Sequence, residues 1–429
     1  HYREAGDVEN AIPYSFKAGD EAAGRYASTE ASAHYQAALD MAKTLSDPQA
    51  SARGQIRAIL KLANVAFNRE QFERNLGNLD QARKLADQIN HPVRLSQIKY
   101  WIGRTHYVMG RFDLAVEFAR LALDIAEKLQ GDDRLKTGPV NLLARVHCLR
   151  GEPVDAISYA ARSVSQMNEL GDGIEEAAVS GVLAFAHAQH GQFDEALAAA
   201  DHGVALAQQL DHLPTIAACL MFRGVVNGWF GKLADAEPDF EQSLYVCQKS
   251  GDVFRKYLTL GWQGEARLIA GDVLAAQSSL EQCLALGKTI GTFFHRGAFE
   301  AFLAKAMLAQ GDLDGAMRTS EIAVATATKS SETWPLSIAL RSMAEVQLTR
   351  ETPDLDIARR SIAAAIEIQQ QRQCGCDLAW SHLVHGDVTM AAGDHDVADE
   401  IYQTTLDAFT SLGITRGAEL ASKARSGIN

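Results

Sequence analysis

The stretch Ile102–Ala126, IGRTHYVMGRFDLAVEFARLALDIA, carries the pattern that decides the fold of this chain. Gly110 marks a turn in it, with Gly103 seven positions before and Ala115 five positions after. The turn glycine recurs every 40 or 41 residues, at Gly110, Gly151, Gly191, Gly231, Gly271 and Gly311, and returns at Gly393 after one irregular interval. A fixed period in this range predicts an array of helical repeats.

Two further positions of the repeat hold small residues. The position seven before the turn is occupied by Gly103, Ala144, Ala184, Gly224, Gly264, Ala304 and Gly386. The position five after it is occupied by Ala115, Ala156, Ala196, Ala236, Ala276, Ala316 and Ala398. Glycine or alanine lets two helices approach closely, because no large side chain holds them apart. The pattern therefore predicts that each repeat is a pair of closely packed helices.

On these residues the chain resembles the tetratricopeptide repeat (TPR) family, whose usual unit is about 34 residues. The resemblance implies an all-α fold, an α-solenoid that forms a right-handed superhelix. With a period near 40 residues, we expect about ten antiparallel helix pairs. The same period also fits HEAT or armadillo arrays, but the small residues at fixed positions favour a TPR-like array.

The pattern divides the chain into three segments. We expect truncated helical repeats in residues 1–50, at the junction to a domain that precedes His1. The TPR-like superhelix is expected in residues 51–412, and residues 413–429 are expected to form a capping helix and tail. This last segment is polar, as the end of a repeat array must be to face water.

Three local expectations refine this division. Residues 55–75 and 77–89 are predicted to form one helix pair around Gly77, and Pro139 is predicted to begin a helix, where its missing N–H costs nothing. The interval from Ala344 to Ala358 is two residues longer than that from Gly103 to Ala115. A longer turn is therefore predicted between the two helices of that repeat.

The beginning of the chain, HYREAGDVENAIPYSFKAGDEAAGRYA, carries a second resemblance. It is similar to the join between nucleotide-binding signalling ATPases of the STAND or AAA type and their trailing TPR arrays. Such arrays occur in large bacterial regulators, including some class III adenylate or guanylate cyclases and some transcriptional activators. The resemblance implies that this chain is the regulatory arm of a larger signalling protein.

Composition excludes several classes of partner. The chain has 41 Lys and Arg against 54 Asp and Glu, a net charge of −13, which argues against a nucleic-acid surface or an anionic membrane. No apolar run is long enough for a transmembrane helix, and no signal peptide is evident. The six cysteines lie mostly at repeat-core spacings, where cysteine behaves as a small buried hydrophobe. We therefore expect a cytoplasmic protein.

Motifs for catalysis are missing from the sequence. It contains no GxxxxGK[ST] phosphate loop, no HExxH and no GxSxG, so we predict neither an enzyme nor a cofactor. Cys374, Cys376, His382 and His385 are residue types that bind zinc. Their spacing is not that of a common structural zinc site, and we predict no metal.

The TPR resemblance implies a concave wall, lined by positions three before, one after and four after the first small residue. These positions, with one nearby tryptophan, give the predicted partner-binding residues Tyr100, Arg104, Tyr107, Asn141, Arg145, Phe185, Met221 and Trp229. Arginine and aromatic residues dominate binding hot spots. We therefore expect a protein or peptide partner in the concave groove.

Two functions follow from this interpretation. The first is a non-catalytic regulatory scaffold that binds a protein or peptide, as the partner-binding or sensor arm of a signalling ATPase or nucleotidyl cyclase. The alternative is a superhelix that senses a small molecule and controls an attached ATPase or transcription regulator. The identity of the partner and the oligomeric state are not encoded in any feature of the sequence.

Overall fold

The computed structural model describes residues 8–25, 27–65, 69–129, 133–292, 294–330 and 332–428. Across these residues it consists of 21 α-helices and contains no β-strand. The helices are α1 Val8–Gly24, α2 Ser28–Lys43, α3 Pro48–Val65, α4 Arg69–Gln88, α5 Pro92–Val108, α6 Phe112–Lys128, α7 Arg134–Leu149, α8 Pro153–Leu170, α9 Gly173–His190, α10 Phe193–Gln209, α11 Leu213–Trp229, α12 Leu233–Ser250, α13 Val253–Ala270, α14 Val273–Ile290, α15 Arg296–Ala309, α16 Leu313–Ser330, α17 Thr333–Leu348, α18 Leu355–Arg372, α19 Gly375–Ala391, α20 His395–Leu412 and α21 Thr415–Ser426. Consecutive helices pack on one another, which confirms the predicted all-α array of helix pairs.

The seven turn glycines that define the period, from Gly110 to Gly393, adopt positive φ angles. Gly271, for example, ends α13 with φ of 89° in the left-handed region, which glycine enters without steric cost. The next residue, Asp272, caps α14 by accepting a hydrogen bond from the backbone N–H of Ala275 at 3.3 Å. One helix therefore ends and the next begins within a few residues, as the repeat pattern predicts.

The small residues permit the predicted close approach of paired helices. A Cβ atom added to Gly103 would lie 3.1 Å from the carbonyl oxygen of Ala115 and 3.2 Å from the backbone nitrogen of Ala119. A Cβ atom on Gly224 would lie only 2.8 Å from the ring of Phe240. The space that a side chain would need at these positions is occupied by the neighbouring helix.

Two local predictions are wrong. Gly77 lies inside α4, which begins at Arg69, whereas α3 ends at Val65. The helix expected to start at Pro139 begins at Arg134, so Pro139 lies inside α7. The longer turn is confirmed, because α17 and α18 are separated by residues 349–354. The predicted turn residues Gly6 and Asp7 lie outside the described residues.

The chain forms two compact units, His1–Leu143 and Ala144–Asn429, called here the first and second unit. The boundary falls within α7. The segments predicted with limits at residues 50 and 412 remain a prediction. The last of them does contain a helix, α21, which packs on α20.

The second unit closes on itself. The hydroxyl of Thr333 donates to the carbonyl oxygen of Arg150 at 3.2 Å, and the thiol of Cys374 donates to that of Gly151 at 3.3 Å. The His190 Nδ1–H donates to the carbonyl oxygen of Gln373 at 3.0 Å. We call these interactions the closing contact. In the chain, α8 and the five pairs from α9 to α18 lie between Gly151 and Cys374, and α9 packs directly on α19.

Candidate functional site

The first predicted wall residue, Tyr100, lines a pocket in the first unit with a volume of about 490 Å³. We call it the basic pocket. Its lining residues lie on α3, α5 and α7. They are Arg57, Leu60, Lys61, Asn64, Arg94, Ser96, Gln97, Tyr100, Trp101, Arg134, Leu135, Thr137, Gly138 and Pro139. This described lining includes four cationic side chains and no carboxylate. The pocket is therefore a cationic site in an acidic chain.

The cation of Lys61 already has a partner. Its Nζ lies 2.9 Å from a carboxylate oxygen of Asp20, and the hydroxyl of Tyr35 donates to the same carboxylate at 2.6 Å. Burial alone would raise the pKa of Asp20, but the hydrogen bonds from Tyr35 and Lys61 outweigh it and lower that pKa. Asp20 therefore stays ionised and offsets the charge of Lys61.

Arg57 and Arg94 are different, because among the described residues neither forms an ion pair with a carboxylate. The guanidinium of Arg57 lies 4.1 Å from the centroid of the Phe16 ring, and Arg94 donates to the side-chain oxygen of Gln97 at 2.8 Å. Burial lowers the pKa of Arg94, and the nearby charge of Arg57 lowers it further. Two guanidinium groups thus share the pocket without a direct ion pair, although the charge of Arg57 helps to lower the pKa of Asp20.

One wall of the pocket is aromatic and apolar. The rings of Tyr100 and Trp101 meet edge to face with centroids 5.3 Å apart. A Cβ atom on Gly138 would come within 3.1 Å of the Tyr100 ring, so glycine there lets α7 approach that ring closely. The site combines charge on one side with a ring surface on the other, as sites that bind peptides or small ligands do.

The remaining predicted residues of α5 and α7 lie near this pocket in sequence but do not line it. Arg104 is exposed, with its guanidinium 5.4 Å from the centroid of the Trp101 ring. Tyr107 is half-buried, 6.3 Å from the ring of Phe112. Asn141 is buried.

Arg145, the last predicted residue of α7, is half-buried and belongs to the second unit, whereas Arg104 belongs to the first. The role of all these residues in partner binding remains a prediction.

The three predicted residues of the second unit are buried. Phe185, Met221 and Trp229 are 2%, 1% and 5% exposed. Phe185 and Trp229 belong to a cluster that we call the aromatic centre, formed by Phe185, Trp229, Trp262, His295 and Trp334. In this conformation their side chains contact one another, and a partner that touched them would have to displace part of this cluster.

Buried acids complete the aromatic centre. Glu265 accepts a hydrogen bond from the indole N–H of Trp229, and Asp377 accepts one from that of Trp334, both at 2.7 Å. Asp377 also accepts one from Arg341 at 3.3 Å. Burial raises the pKa of Glu265 to about 8. These carboxyl groups satisfy indole N–H groups that would otherwise be buried without a partner.

The histidine of the aromatic centre, His295, also has a shifted pKa. His295 lies 5.2 Å from Trp262 and 5.3 Å from Trp334, measured between ring centroids. Burial lowers its pKa to about 3, so the ring is neutral at physiological pH. We therefore treat it as part of the packed interior.

The candidate zinc residues do not form a group within reach of one ion among the described residues. Cys374 and Cys376 are buried, and the rings of His382 and His385 lie 6.4 Å apart between centroids. All six cysteines are buried, as their core spacings predict. Burial raises the pKa of the Cys374 thiol above its usual range, so it remains a thiol.

His147, Glu152 and Asp155 do lie within 4.8 Å of one another, measured between their possible ligand atoms. Arg150 and Arg372 both bind the Glu152 carboxylate, however. Guanidinium groups at that position repel a cation. We interpret these side chains as an ion-pair cluster that belongs to the closing contact.

Sequence reasoning missed the four cations of the basic pocket, Arg57, Lys61, Arg94 and Arg134. They lie on three helices that are distant in sequence, and no repeat position marks them. The only available indication was that Arg57 and Lys61 are four residues apart, which places them on one face of a helix.

None of the described helices is both long and apolar enough to cross a lipid bilayer.

Comparison with known proteins supports the fold. No protein-family model and no curated protein sequence matches the chain. Among solved structures, a Rap protein complexed with competence and sporulation factor has a TM-score of 0.57 at 13% identity, covering 89% of this chain and 98% of that one.

The Rap conjugation gene regulator of plasmid pLS20, in complex with the Phr* peptide, has a TM-score of 0.56 at 12% identity, covering 82% of this chain and 95% of that one. At these identities the likeness concerns the fold alone. The packing of the helices in pairs and the fold of these two proteins both indicate a TPR-like helical-repeat array.

Proposed function

We propose that this chain is a non-catalytic regulatory scaffold that binds a peptide or a peptide segment of a protein in the basic pocket of the first unit. The observation that carries the proposal is the pair of cations, Arg57 and Arg94, that share a pocket with an aromatic wall and form no ion pair with a carboxylate among the described residues. Groups arranged in this way are available to a ligand.

The pocket has room for a few side chains. Its volume of about 490 Å³ lies within the range of pockets that hold drug-sized ligands, about 300–1,000 Å³. A segment of a peptide would fit it, while the rest of the peptide would lie across the neighbouring helices. The structure of a similar fold in complex with the Phr* peptide supports this choice of partner.

The residues predicted from the repeat register extend the proposed site. Tyr100 lines the pocket, and Arg104 and Tyr107 follow it along α5. A peptide leaving the pocket along α5 would reach Arg104, which is exposed. Phe185, Met221 and Trp229 would contribute only if the aromatic centre opened, because their side chains are buried.

Peptide selection tests this function. Random peptides displayed on phage are selected against the full chain, and the enriched sequences are measured by fluorescence polarisation. We expect binding in the micromolar range and a loss of about tenfold or more on Tyr100→Ala, because an aromatic anchor in a pocket contributes a large share of binding energy. The control is Tyr245→Ala, which removes an exposed tyrosine of the second unit. Failure to enrich any peptide would refute the proposal.

The attachment to a larger protein is a finer proposal, and it rests on the resemblance of the first residues to a junction with a signalling ATPase or nucleotidyl cyclase. Its test is the gene sequence upstream of the codon for His1. A phosphate-binding loop encoded there, with or without cyclase motifs, would support it. A continuous reading frame without such a loop would contradict it.

The second candidate function is a sensor for a small molecule. The volume of the basic pocket favours it, since a single metabolite with a negative charge would fill much of it. A ligand that binds only the folded state raises the melting temperature by mass action. A panel of anionic metabolites at millimolar concentration should then contain at least one that raises it, and Arg94→Gln should abolish the rise. A flat response across the panel would exclude this alternative.

A further inference from the structure

We propose that the basic pocket selects an acidic peptide, with Arg57 and Arg94 each pairing with a carboxylate of adjacent aspartate or glutamate residues. This inference rests on the proposed function and names the chemistry of the ligand. The pocket is the feature of the described residues in which charge, shape and an unsatisfied interaction coincide.

The basic pocket has the opposite charge to the chain as a whole. The chain carries 13 more acidic than basic residues, yet the described lining of this pocket has four cations and no carboxylate. An acidic chain repels an acidic ligand at long range, but the Debye length at physiological salt is only about 8 Å. Within the pocket the nearby guanidinium groups therefore dominate.

The placement of Arg94 disfavours its positive charge. Arg94 is half-buried and faces the charge of Arg57, and both effects disfavour its charged form. Lys61 has Asp20 as its partner, whereas Arg57 and Arg94 have an aromatic ring and an amide. An anion between the two guanidinium groups would offset their repulsion and would give the half-buried Arg94 a charged partner.

The shape of the two guanidinium groups also favours carboxylates. A guanidinium presents its N–H donors as a planar fork that matches the two oxygens of a carboxylate. Two such groups suit two carboxylates on neighbouring side chains better than one isolated charge. The ring wall of Tyr100 and Trp101 provides a surface for an apolar residue beside the acidic pair.

The experiment uses the full chain and three probes. The first is a labelled peptide that has two adjacent glutamates beside a phenylalanine, the second has glutamines in place of the glutamates, and the third is inorganic pyrophosphate, used as a competitor. Fluorescence polarisation is recorded at about 50 mM and about 200 mM salt, where screening differs. We expect the glutamate peptide to bind at least about tenfold more tightly than the glutamine peptide, and to weaken at the higher salt.

Matched variants locate the binding. Arg57→Gln together with Arg94→Gln removes the two guanidinium groups and should weaken the glutamate peptide about tenfold or more. Arg53→Gln together with Arg120→Gln changes the net charge equally, on exposed arginines of α3 and α6 that do not line the pocket. This control pair should leave the affinity nearly unchanged. Circular dichroism melting of both double variants shows whether they remain folded.

Three outcomes would overturn the inference. Equal loss in both double variants would mean that only the net charge matters. Binding of pyrophosphate that depends on Arg57 and Arg94, with no binding of the glutamate peptide, would mean that the anion is a phosphate and not a peptide carboxylate. If peptides from the phage selection bind but show no acidic preference, this inference fails while the proposed function stands. If no peptide of any composition binds, the proposed function itself fails.

Discussion

In the first unit the predicted wall residue Tyr100 lines a pocket, whereas in the second unit the predicted wall residue Phe185 and the nearby Trp229 are buried among other aromatic rings. Both units are built from the same kind of helix pair. The position of a residue in the repeat therefore does not decide whether its side chain lines a pocket or is buried in the interior. The exposure of such a side chain depends on which other side chains pack against it.

In the second unit the side chains across the wall come from the array itself. The five pairs from α9 to α18 bring α19 back onto α9, and rings from α9, α11, α13 and α17 meet in the aromatic centre. In the first unit, the described pocket is bordered by cations that disfavour packing against one another. Aromatic rings fill the interior of the second unit, whereas four cations line the described pocket of the first.

The largest expected effect is the loss of the aromatic centre. Trp334 is 1% exposed and contacts Phe185, Trp229, Trp262 and His295. Trp334→Ala leaves a cavity, removes the donor to Asp377 and should lower the free energy of unfolding by about 3–5 kcal/mol. Urea denaturation followed by circular dichroism measures this.

The matched control for Trp334→Ala lies in the first unit. Trp101 is half-buried at the basic pocket, so Trp101→Ala should cost less than half as much. Equal losses from the two substitutions would show that the two interiors are not packed differently, and the comparison between the units would fail.

A smaller effect is expected at the closing contact. Arg372 binds the Glu152 carboxylate across 220 positions of sequence, and both side chains are mostly buried. Arg372→Ala should lower the free energy of unfolding by about 1–3 kcal/mol, because it leaves a partly buried carboxylate without this donor. Arg359→Ala, which removes an exposed arginine of the same helix 3.9 Å from Asp394, should cost under about 1 kcal/mol.

A double-mutant cycle of Arg372→Ala with Glu152→Gln isolates the pair. A coupling energy near zero would mean that the two side chains do not hold the closing contact together, and that the turn of the second unit closes through its other interactions alone.

The smallest change per step of a measurement, a single pH unit, is expected from a pH dependence. Burial raises the pKa of Glu265 to about 8 from a usual value of 4.5, with Asp377 adding to the rise and Trp229, Arg341 and Lys305 opposing it. Between these pKa values the folded protein holds a proton that the unfolded chain releases. Stability from this group is therefore complete below pH 4.5 and is lost as pH rises to about 8, at up to about 1.4 kcal/mol per pH unit.

Glu265→Gln keeps an acceptor for Trp229 and removes the titration. Its free energy of unfolding should fall less steeply than that of the wild type between pH 5 and pH 8, which urea titrations across that range would show. Glu241→Gln changes an exposed glutamate and should leave the slope as it is. A wild-type slope that survives Glu265→Gln would assign the pH dependence to other acids, such as Glu332.

Much of the fold could be predicted from the sequence, because the residues that end and begin the helices act within their own turn. Gly271 and Asp272 end one helix and begin the next through their own backbone and side chain, so the residues alone reveal the turn. The end of α3 at Val65 and the start of α4 at Arg69 were missed because the sequence has no glycine between them. Gly77, which was predicted to mark the turn, lies inside α4.

The basic pocket could not be predicted in the same way. Its cations come from α3, α5 and α7, and each looks like an ordinary surface arginine or lysine in its own helix. Only the packing of those helices shows that Arg57 and Arg94 line one pocket while Lys61 is paired with Asp20. The burial of Phe185 and Trp229 also depends on the return of α19 to α9, which no single repeat encodes.

The closing contact has a consequence for how the second unit can evolve. An open solenoid gains or loses repeats by duplication and deletion with little penalty, because each repeat contacts only its neighbours. Here the hydrogen bonds of Thr333 and Cys374 to Arg150 and Gly151 require the intervening pairs to complete one turn. One pair more or fewer between α9 and α18 would separate these groups. The copy number of this part of the array is therefore a fixed property of the protein, like the blade number of a propeller.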